Sequence, residues 1–481
     1  STEQKIQASD KQASDNFGFS VSLSGDYAIV GAHRKDSYTG AAYIYKRNAT
    51  TGVWGDEQKI RASDGRSNYD EFGKSVSLSG DYAIVGAHQE DVSGDEQQGA
   101  AYIYTRNVST GVWGDEQKIR ASDRQTGDHF GYSVSISGDY AIVGAPYEDS
   151  KGAAYIYKRN ATTGVWGDEQ KITASDKQAS DDFGWSVSLS GDYAIVGAPG
   201  RNSYAGVAYI FKRNGTTWTQ QVNLSTADTK SNDEYGIRVS ISGDYAIVGA
   251  RATNGNASNS GSAYIYKRDG DMWPEQAKLV ASDGADGDFF GWSVAISGKY
   301  AIVGARGEDP DGLASAGSAY IFKREGTTWS EIIKIFASDR QTDDFFGESV
   351  SISGDYAIVG AYQEDPGGTG DAGSAYIYKA PDVPSPKLTY NTYNTLTLSD
   401  VFPSYSSTLR YLTKTYDIGS ASTIIIRDPG RYEIATTDNE RFMALNSNVT
   451  DTSVTQVAVY DYTQAQSTER KIQASDRGGS D

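Results

Sequence analysis

Seven pairs of aspartates stand at near-constant spacing along the first 380 residues: Asp10/Asp15, Asp64/Asp70, Asp123/Asp128, Asp176/Asp181, Asp228/Asp233, Asp283/Asp288 and Asp339/Asp344. Acidic doublets lie between some of them, at Glu90-Asp91, Glu148-Asp149, Glu308-Asp309 and Glu364-Asp365. Carboxylates gathered on loops are hard oxygen donors, a set that suits Ca²⁺ before Zn²⁺. The candidate metal ligands are Asp10, Asp15, Asp123, Asp128, Asp176, Asp181, Asp283, Asp288, Asp339 and Asp344, and Ca²⁺ is the only cofactor they imply. The same oxygens can instead accept N–H groups of their own loops and simply close them. Glycosidase-type acid–base chemistry needs a unique pair in a cleft, whereas these recur seven times. His33, His88 and His129 form neither a Ser-His-Asp arrangement nor a metal-ligand spacing. No catalytic residue emerges, and the expectation is a protein that is not an enzyme.

The elements that carry these loops repeat with them. An aromatic-Gly pair recurs at intervals of 52 to 58 residues: Phe17-Gly18, Phe72-Gly73, Phe130-Gly131, Phe183-Gly184, Tyr235-Gly236, Phe290-Gly291 and Phe346-Gly347. In the first copy Ser20–Ser24 alternates apolar and small polar residues, the signature of a strand. Gly25-Asp26 reads as a hairpin turn, Tyr27–Ala32 as a strand covered on both faces, and Ala41–Tyr45 as a third strand. A fourth follows Trp54. The seventh copy lacks its fourth strand, but Glu3–Asp10 supplies that missing phrase from the other end of the chain. Four-stranded units that cannot cover their own faces are satisfied by radial stacking. The predicted fold is all-β: a seven-bladed β-propeller of four-stranded antiparallel blades closed by the N-terminal strand, followed by a small C-terminal β-sandwich.

An FG pair, a hydrophobic hairpin and then Gly-Ala-Pro, as at Gly144-Ala145-Pro146 and Gly197-Ala198-Pro199, resembles the FG-GAP repeat of integrin α-subunit propellers. The resemblance covers residues 1–380 and implies an extracellular adhesive protein whose loop-rich face meets ligands. Repeats of that family often carry a DxDxDG calcium loop between the first two strands. Here that connection is a two-residue Gly-Asp turn, Gly298-Lys299 in the sixth copy, too short to wrap six oxygens around Ca²⁺, so those sites do not carry over.

Composition narrows the partners. Asp and Glu outnumber Lys and Arg by 63 to 44, a net charge of −19 that speaks against nucleic acid. There is no cysteine, hence no disulfide framework. No apolar stretch approaches the roughly 20 residues of a membrane span. N-x-[S/T] sequons at Asn48, Asn107, Asn160, Asn214, Asn223, Asn256 and Asn448 point to glycosylation in a secretory setting, with turn chemistry as the plain alternative for the four that share one turn. Trp54, Trp113, Trp166, Trp218, Trp273 and Trp329 share one repeat position and read as packing between blades. Trp185 and Trp292, directly after the FG pair, are the candidates for stacking on sugar rings.

Residues 381–386 form a Pro-rich linker, and 387–467 read as a β-sandwich that loosely resembles cadherin-like and immunoglobulin-like modules. Over 468–481 the opening phrase returns: Thr468-Glu469-Arg470-Lys471-Ile472-Gln473-Ala474-Ser475-Asp476 repeats Thr2–Asp10 with one substitution. That segment reads as the first strand of a following propeller, in cis or in a neighbouring copy. The functional expectation is a non-catalytic extracellular structural or adhesion protein at the cell surface, one period of a tandem propeller-sandwich array. Its expected partners are other copies of itself, with glycans or cell-surface proteins as further candidates. A carbohydrate-binding propeller is the alternative, and a polysaccharide-active enzyme a weaker one.

Overall fold

Residue burial divides each repeat as its alternation demands. In the computed structural model, which describes residues 3–64, 69–91 and 97–379 and six strands of the region after Pro381, the phrase Ser75–Ser79 alternates half-buried serines with buried apolar residues. The following Tyr82–Ala87 is buried along its length after the first tyrosine. Blade one comprises Phe17–Ser24, Tyr27–Ala32, Ala41–Arg47 and Trp54–Ile60, hydrogen-bonded in that order. Five more blades repeat it. Blade seven contains Ser349–Ser353, Tyr356–Ala361 and Ser374–Lys379, and its fourth strand is Glu3–Ile6. The register pairs Glu3 with Tyr378, Lys5 with Tyr376 and Ile6 with Ala375. The first strands touch one another in cyclic order, blade one against blade seven included, so the ring is closed.

The core lies between blades. One cluster joins Ile358, Ala375 and Ile377 of blade seven to Val30, Tyr43 and Phe17 of blade one, and the other blade pairs repeat it. Phe17 is fully buried beneath Tyr43 and Tyr45, edge-on at 5.5 and 6.2 Å between ring centroids. The glycine beside the aromatic allows the backbones to meet: Gly73 N–H donates to Gly86 O at 3.0 Å, and Ser20 Oγ reaches Gly73 O at 2.9 Å from the preceding blade. Inner strands are also tied by hydroxyls, since Ser22 Oγ accepts the Leu78 N–H at 3.1 Å. At the rim, Trp113 packs edge-on against Tyr27 of the preceding blade at 5.7 Å, as Trp166 does against Tyr82. Such pairs contribute about 0.5–1.5 kcal/mol each beyond burial.

The region from Pro381 forms a separate compact unit. Its described strands, Lys387–Thr389, Ala421–Asp428, Arg431–Thr436, Arg441–Asn446, Val457–Thr463 and Gln466–Ile472, make one antiparallel sheet in chain order. The linker and the residues that would complete a sandwich lie outside the described residues. Gln466–Ile472, which contains the start of the returning phrase, is the last strand of this sheet and pairs with Val457–Thr463.

Candidate functional site

The first aspartate of each pair is a latch between blades. Asp10, on the loop entering blade one, accepts the Tyr43 hydroxyl at 2.7 Å and the Lys59 ammonium at 2.6 Å. Asp123 does the same with Tyr155 and Lys171, Asp283 with Tyr320 and Lys334, and Asp339 with Tyr376 and Lys5. Asp176 takes Tyr209 and Arg201. Burial alone would raise the Asp10 carboxyl, but Lys59, Tyr43 and Lys35 outweigh it and hold it at about 2. Against the same burial, their Lys and Tyr partners keep Asp64, Asp123, Asp228, Asp283 and Asp339 below the ordinary range.

The second aspartate closes its own loop. Asp15 Oδ2 accepts the Gln12 N–H at 2.6 Å, and Asp128, Asp181, Asp288 and Asp344 accept the N–H three residues upstream at the same distance. Both oxygen sets are thus engaged by the protein's own donors. The lysine bridges the latch aspartate to the doublet glutamate: Lys5 lies 2.7 Å from Asp339 and 2.8 Å from Glu364, and Lys334 likewise joins Asp283 to Glu308. An ammonium stands between carboxylates where a bound cation would have to stand. Among the described residues no cluster of three or more acidic or imidazole groups is arranged to hold a metal ion. The ten aspartates named as Ca²⁺ ligands do not fit that ion. They act in loop closure and blade latching.

Blades one and four invert the charge of this arrangement. Lys35, 1 % exposed, and Arg201 replace the doublet glutamate and pair directly with Asp15 and Asp181, each at 2.8 Å. In blades three and seven the second aspartate faces a glutamate instead. Burial first, then the charges of Glu364 and Asp339, push the Asp344 carboxyl to about 7 against the favourable Gln341 N–H. Asp128 reaches about 6 for the same reasons, with Glu148 as its neighbour. A carboxyl raised above its unfolded value of about 3.9 binds protons more tightly when folded, so its contribution improves as pH falls towards that value. The latch aspartates have the opposite sign, and their contribution is lost only as pH falls below about 4. Thermal stability is therefore expected to be highest at weakly acidic pH. Asp344→Asn should stabilise by on the order of 1–3 kcal/mol at about pH 8 and by much less at about pH 5. Melting curves across that range check this; a maximum at alkaline pH, unmoved in the variant, would refute it.

The sequons take varied positions. Asn48, Asn107 and Asn160 are exposed, and each Oδ1 accepts N–H groups two and three residues on, at 2.9–3.1 Å. Asn214 and Asn223 are exposed on the third and fourth strands of blade four. Asn256 is exposed, but its Nδ2, the atom a glycan would take, donates to Ala281 O at 2.8 Å. Asn448 lies outside the described residues. In blades one to five the aspartate of the Gly-Asp turn is bound by arginine of its own blade, as in Arg159 Nε to Asp139 at 2.9 Å.

Chemistry that differs between blades collects at the mouth of the axial channel. The residue after the FG pair is Phe19, Lys74, Tyr132, Trp185, Ile237, Trp292 or Glu348, and the residue after the Gly-Ala pair is His33, His88, Pro146, Pro199, Arg251, Arg306 or Tyr362. These side chains meet across blades. His88 faces His129 at 5.2 Å between ring centroids, Tyr132 lies 4.7 Å from Trp185, and Arg306 sits 3.2 Å from the Trp292 ring centroid with Arg251 at 4.2 Å. Trp292, expected to stack on sugars, therefore has ring surface covered by guanidinium groups. Trp185 packs against Tyr132 and, at 6.4 Å, Tyr147. Burial, helped by Lys74, pushes all three histidines below their ordinary range. Arg34, Lys74, Arg238, Arg251 and Arg306 bring cations to this face, and Glu71, Glu234 and Glu348 pair with three of them. The sequence singled out only Trp185 and Trp292 of this ring; the wider signal was that residue chemistry changes from blade to blade at two fixed positions of the repeat.

A closed toroid of seven blades, glycine-interlocked at the axis and latched by Tyr-Asp-Lys groups, defines the class: a β-propeller built of aromatic-Gly/Gly-Ala repeats. The pattern of the FG-GAP repeat matches residues 1–45, 54–104, 113–157, 166–211, 218–266, 273–322 and 329–378, and the chain belongs to the FG-GAP repeat family. No protein among the curated proteins matches the chain.

Proposed function

We propose that this protein is a non-catalytic extracellular structural or adhesion protein, one period of an array in which propellers alternate with β modules along a surface filament. FG-GAP repeats are typical of extracellular proteins. No described helix is long and apolar enough to cross a membrane. The observation that carries the reading is the return of the closing phrase. Glu3 accepts the Ser338 hydroxyl at 2.6 Å and the Tyr378 hydroxyl at 3.0 Å, Lys5 bridges Asp339 and Glu364, and Ser9 donates its hydroxyl to Glu57 at 2.7 Å. The corresponding residues recur as Glu469, Lys471 and Ser475. Gln466–Ile472 already pairs with Val457–Thr463, but an edge strand keeps its second edge for a further partner. The exposed Asx turns at Asn48, Asn107 and Asn160 suit glycans on such a surface. Electron micrographs of the native protein should show toroids in rows at regular spacing, with sugar density at these turns. Solitary toroids at all concentrations would refute the array.

A further inference from the structure

We propose that the mouth of the axial channel on the loop-rich face binds an acidic glycan, with Arg238 receiving a carboxylate or sulfate and the Tyr132–Trp185–Tyr147 cluster receiving the sugar ring. This goes beyond the array reading and does not depend on it. Arg238 breaks the repeat at a structural cost. Its position is occupied by serine in the other blades: Ser20, Ser75, Ser133, Ser186, Ser293 and Ser349. Five of those hydroxyls donate to the FG-glycine carbonyl of the next blade, as Ser133 does to Gly184 O at 2.8 Å and Ser293 to Gly347 O at 2.7 Å. The strand ladder pairs Ser20 with Gly31 in blade one and skips Arg238 in blade five. Blade five thus forgoes an architectural hydrogen bond and a ladder pair to place a guanidinium near the axis. Departures of this kind from local consistency mark functional positions.

The guanidinium lacks a protein anion. Arg251 is held by Glu234 at 2.6 and 2.8 Å and Arg306 by Glu348 at 2.8 Å, and Lys74 lies 3.8 Å from Glu71. Arg238 makes one hydrogen bond, to its neighbour's carbonyl at Ile237, and among the described residues no carboxylate lies within ion-pairing distance of it. It interacts electrostatically with Lys74, Tyr132, Arg306 and Glu348, from blades two, three, six and seven, which places it where the blades converge. A half-buried cation among other cations is relieved by a bound anion, and guanidinium matches carboxylate and sulfate bidentately.

The surroundings favour a sugar. Tyr132, Trp185 and Tyr147 form one aromatic cluster, with Tyr147 40 % exposed. Buried nitrogens without a hydrogen-bond partner belong to the same mouth: Nδ1 of His33, His88 (with Glu71 at 3.8 Å) and His129, and Nε1 of Trp185 and Trp292. His33 and His88 are 2 % and 4 % exposed. Buried polar groups left unmatched are destabilising, so a ligand that matches them is favoured. Hydroxyl-rich rings supply acceptors and donors at such sites, and their C–H faces stack on aromatics.

Calorimetry and tryptophan fluorescence on the full chain test this, with tetragalacturonate, neutral maltotetraose, poly-glutamate peptide and sodium sulfate as probes. Tetragalacturonate should bind, maltotetraose should not, and sulfate should compete. Arg238→Gln should weaken binding by about tenfold or more, and Trp185→Ala should weaken it while leaving the competition by sulfate in place. Arg238→Ser restores the residue of the other blades; it should abolish binding while leaving the melting temperature equal or higher, which separates a lost ligand contact from a lost fold. The proposal fails if the acidic sugar does not bind, if it binds equally in Arg238→Ser, if the neutral sugar binds as well, if poly-glutamate is preferred, or if sulfate binds and the glycan does not.

Discussion

Removal of residues 1–8 is expected to lower stability by on the order of 5–10 kcal/mol, comparable with the whole stability of an ordinary domain. The loss has separable parts. Glu364, 2 % exposed, loses the Lys5 ammonium, and breaking a buried pair from one side costs about 3–5 kcal/mol. Gln4 gives up a reciprocal pair with Trp54, its Nε2 donating to the carbonyl at 2.7 Å and its Oε1 accepting the N–H at 2.9 Å, at about 1 kcal/mol each. Ile6, 5 % exposed, removes about 2 kcal/mol of burial. Ser374–Lys379 becomes an open edge, so the truncated chain should also associate. Melting and size-exclusion measurements check this, and the peptide Thr2–Asp10 added in trans should restore the melting temperature. A peptide spanning 468–476 should rescue less well. Arg470 stands in the place of Gln4, and a guanidinium can donate to the Trp54 carbonyl but has no acceptor for its N–H. A truncated chain that melts within a few degrees of the intact one would overturn the closure argument.

Closure was legible in the sequence because it concerns strands, and strands announce themselves by period. The seven units, the two hairpins in each and the borrowed strand all follow from alternation, turn residues and a displaced phrase. What the acidic loops do was not legible. Asp10 and Asp15 look alike in sequence, but one reaches across to Tyr43 and Lys59 while the other folds back onto Gln12, and only the fold decides which cation arrives. The sign inversion at Lys35 and Arg201 was readable as a substitution but not as a buried ion pair, because the partner aspartate is 20 residues away. The bulge at Asp56, with φ of 49°, shifts the register between Ile44 and Lys46 and left no pattern to find. Of the axial ring only Trp185 and Trp292 were legible, for a different reason. Attention to repetition favours positions that stay the same, and the ligand-facing ones are those that change.

The glycines of the repeat give a second large expected effect, and three alanine variants separate its causes. Gly138, in the hairpin turn of blade three, has φ of 57° and nothing within 4 Å of the point a Cβ would occupy, so Gly138→Ala isolates the backbone cost of about 1 kcal/mol. Gly144 has an ordinary φ, but a Cβ there would lie 2.0 Å from Gly184 O of the next blade, so Gly144→Ala isolates steric collision. Gly131, of the FG pair, combines both: φ is 94°, and a Cβ would lie 2.3 Å from Ala100 O. The closest colliding atoms are backbone carbonyls in a packed ring, joined at Gly144 by the Ser133 hydroxyl at 2.4 Å, and backbone cannot swing aside, so relief requires the blades to part. Gly131→Ala is therefore expected to cost about 3–5 kcal/mol, Gly144→Ala about 2–4 kcal/mol and Gly138→Ala the least. Denaturant unfolding of the three variants orders them. If Gly131→Ala proved no worse than Gly138→Ala, the blades would not be held by close backbone approach, and the aromatic-Gly pair would be no more than a turn.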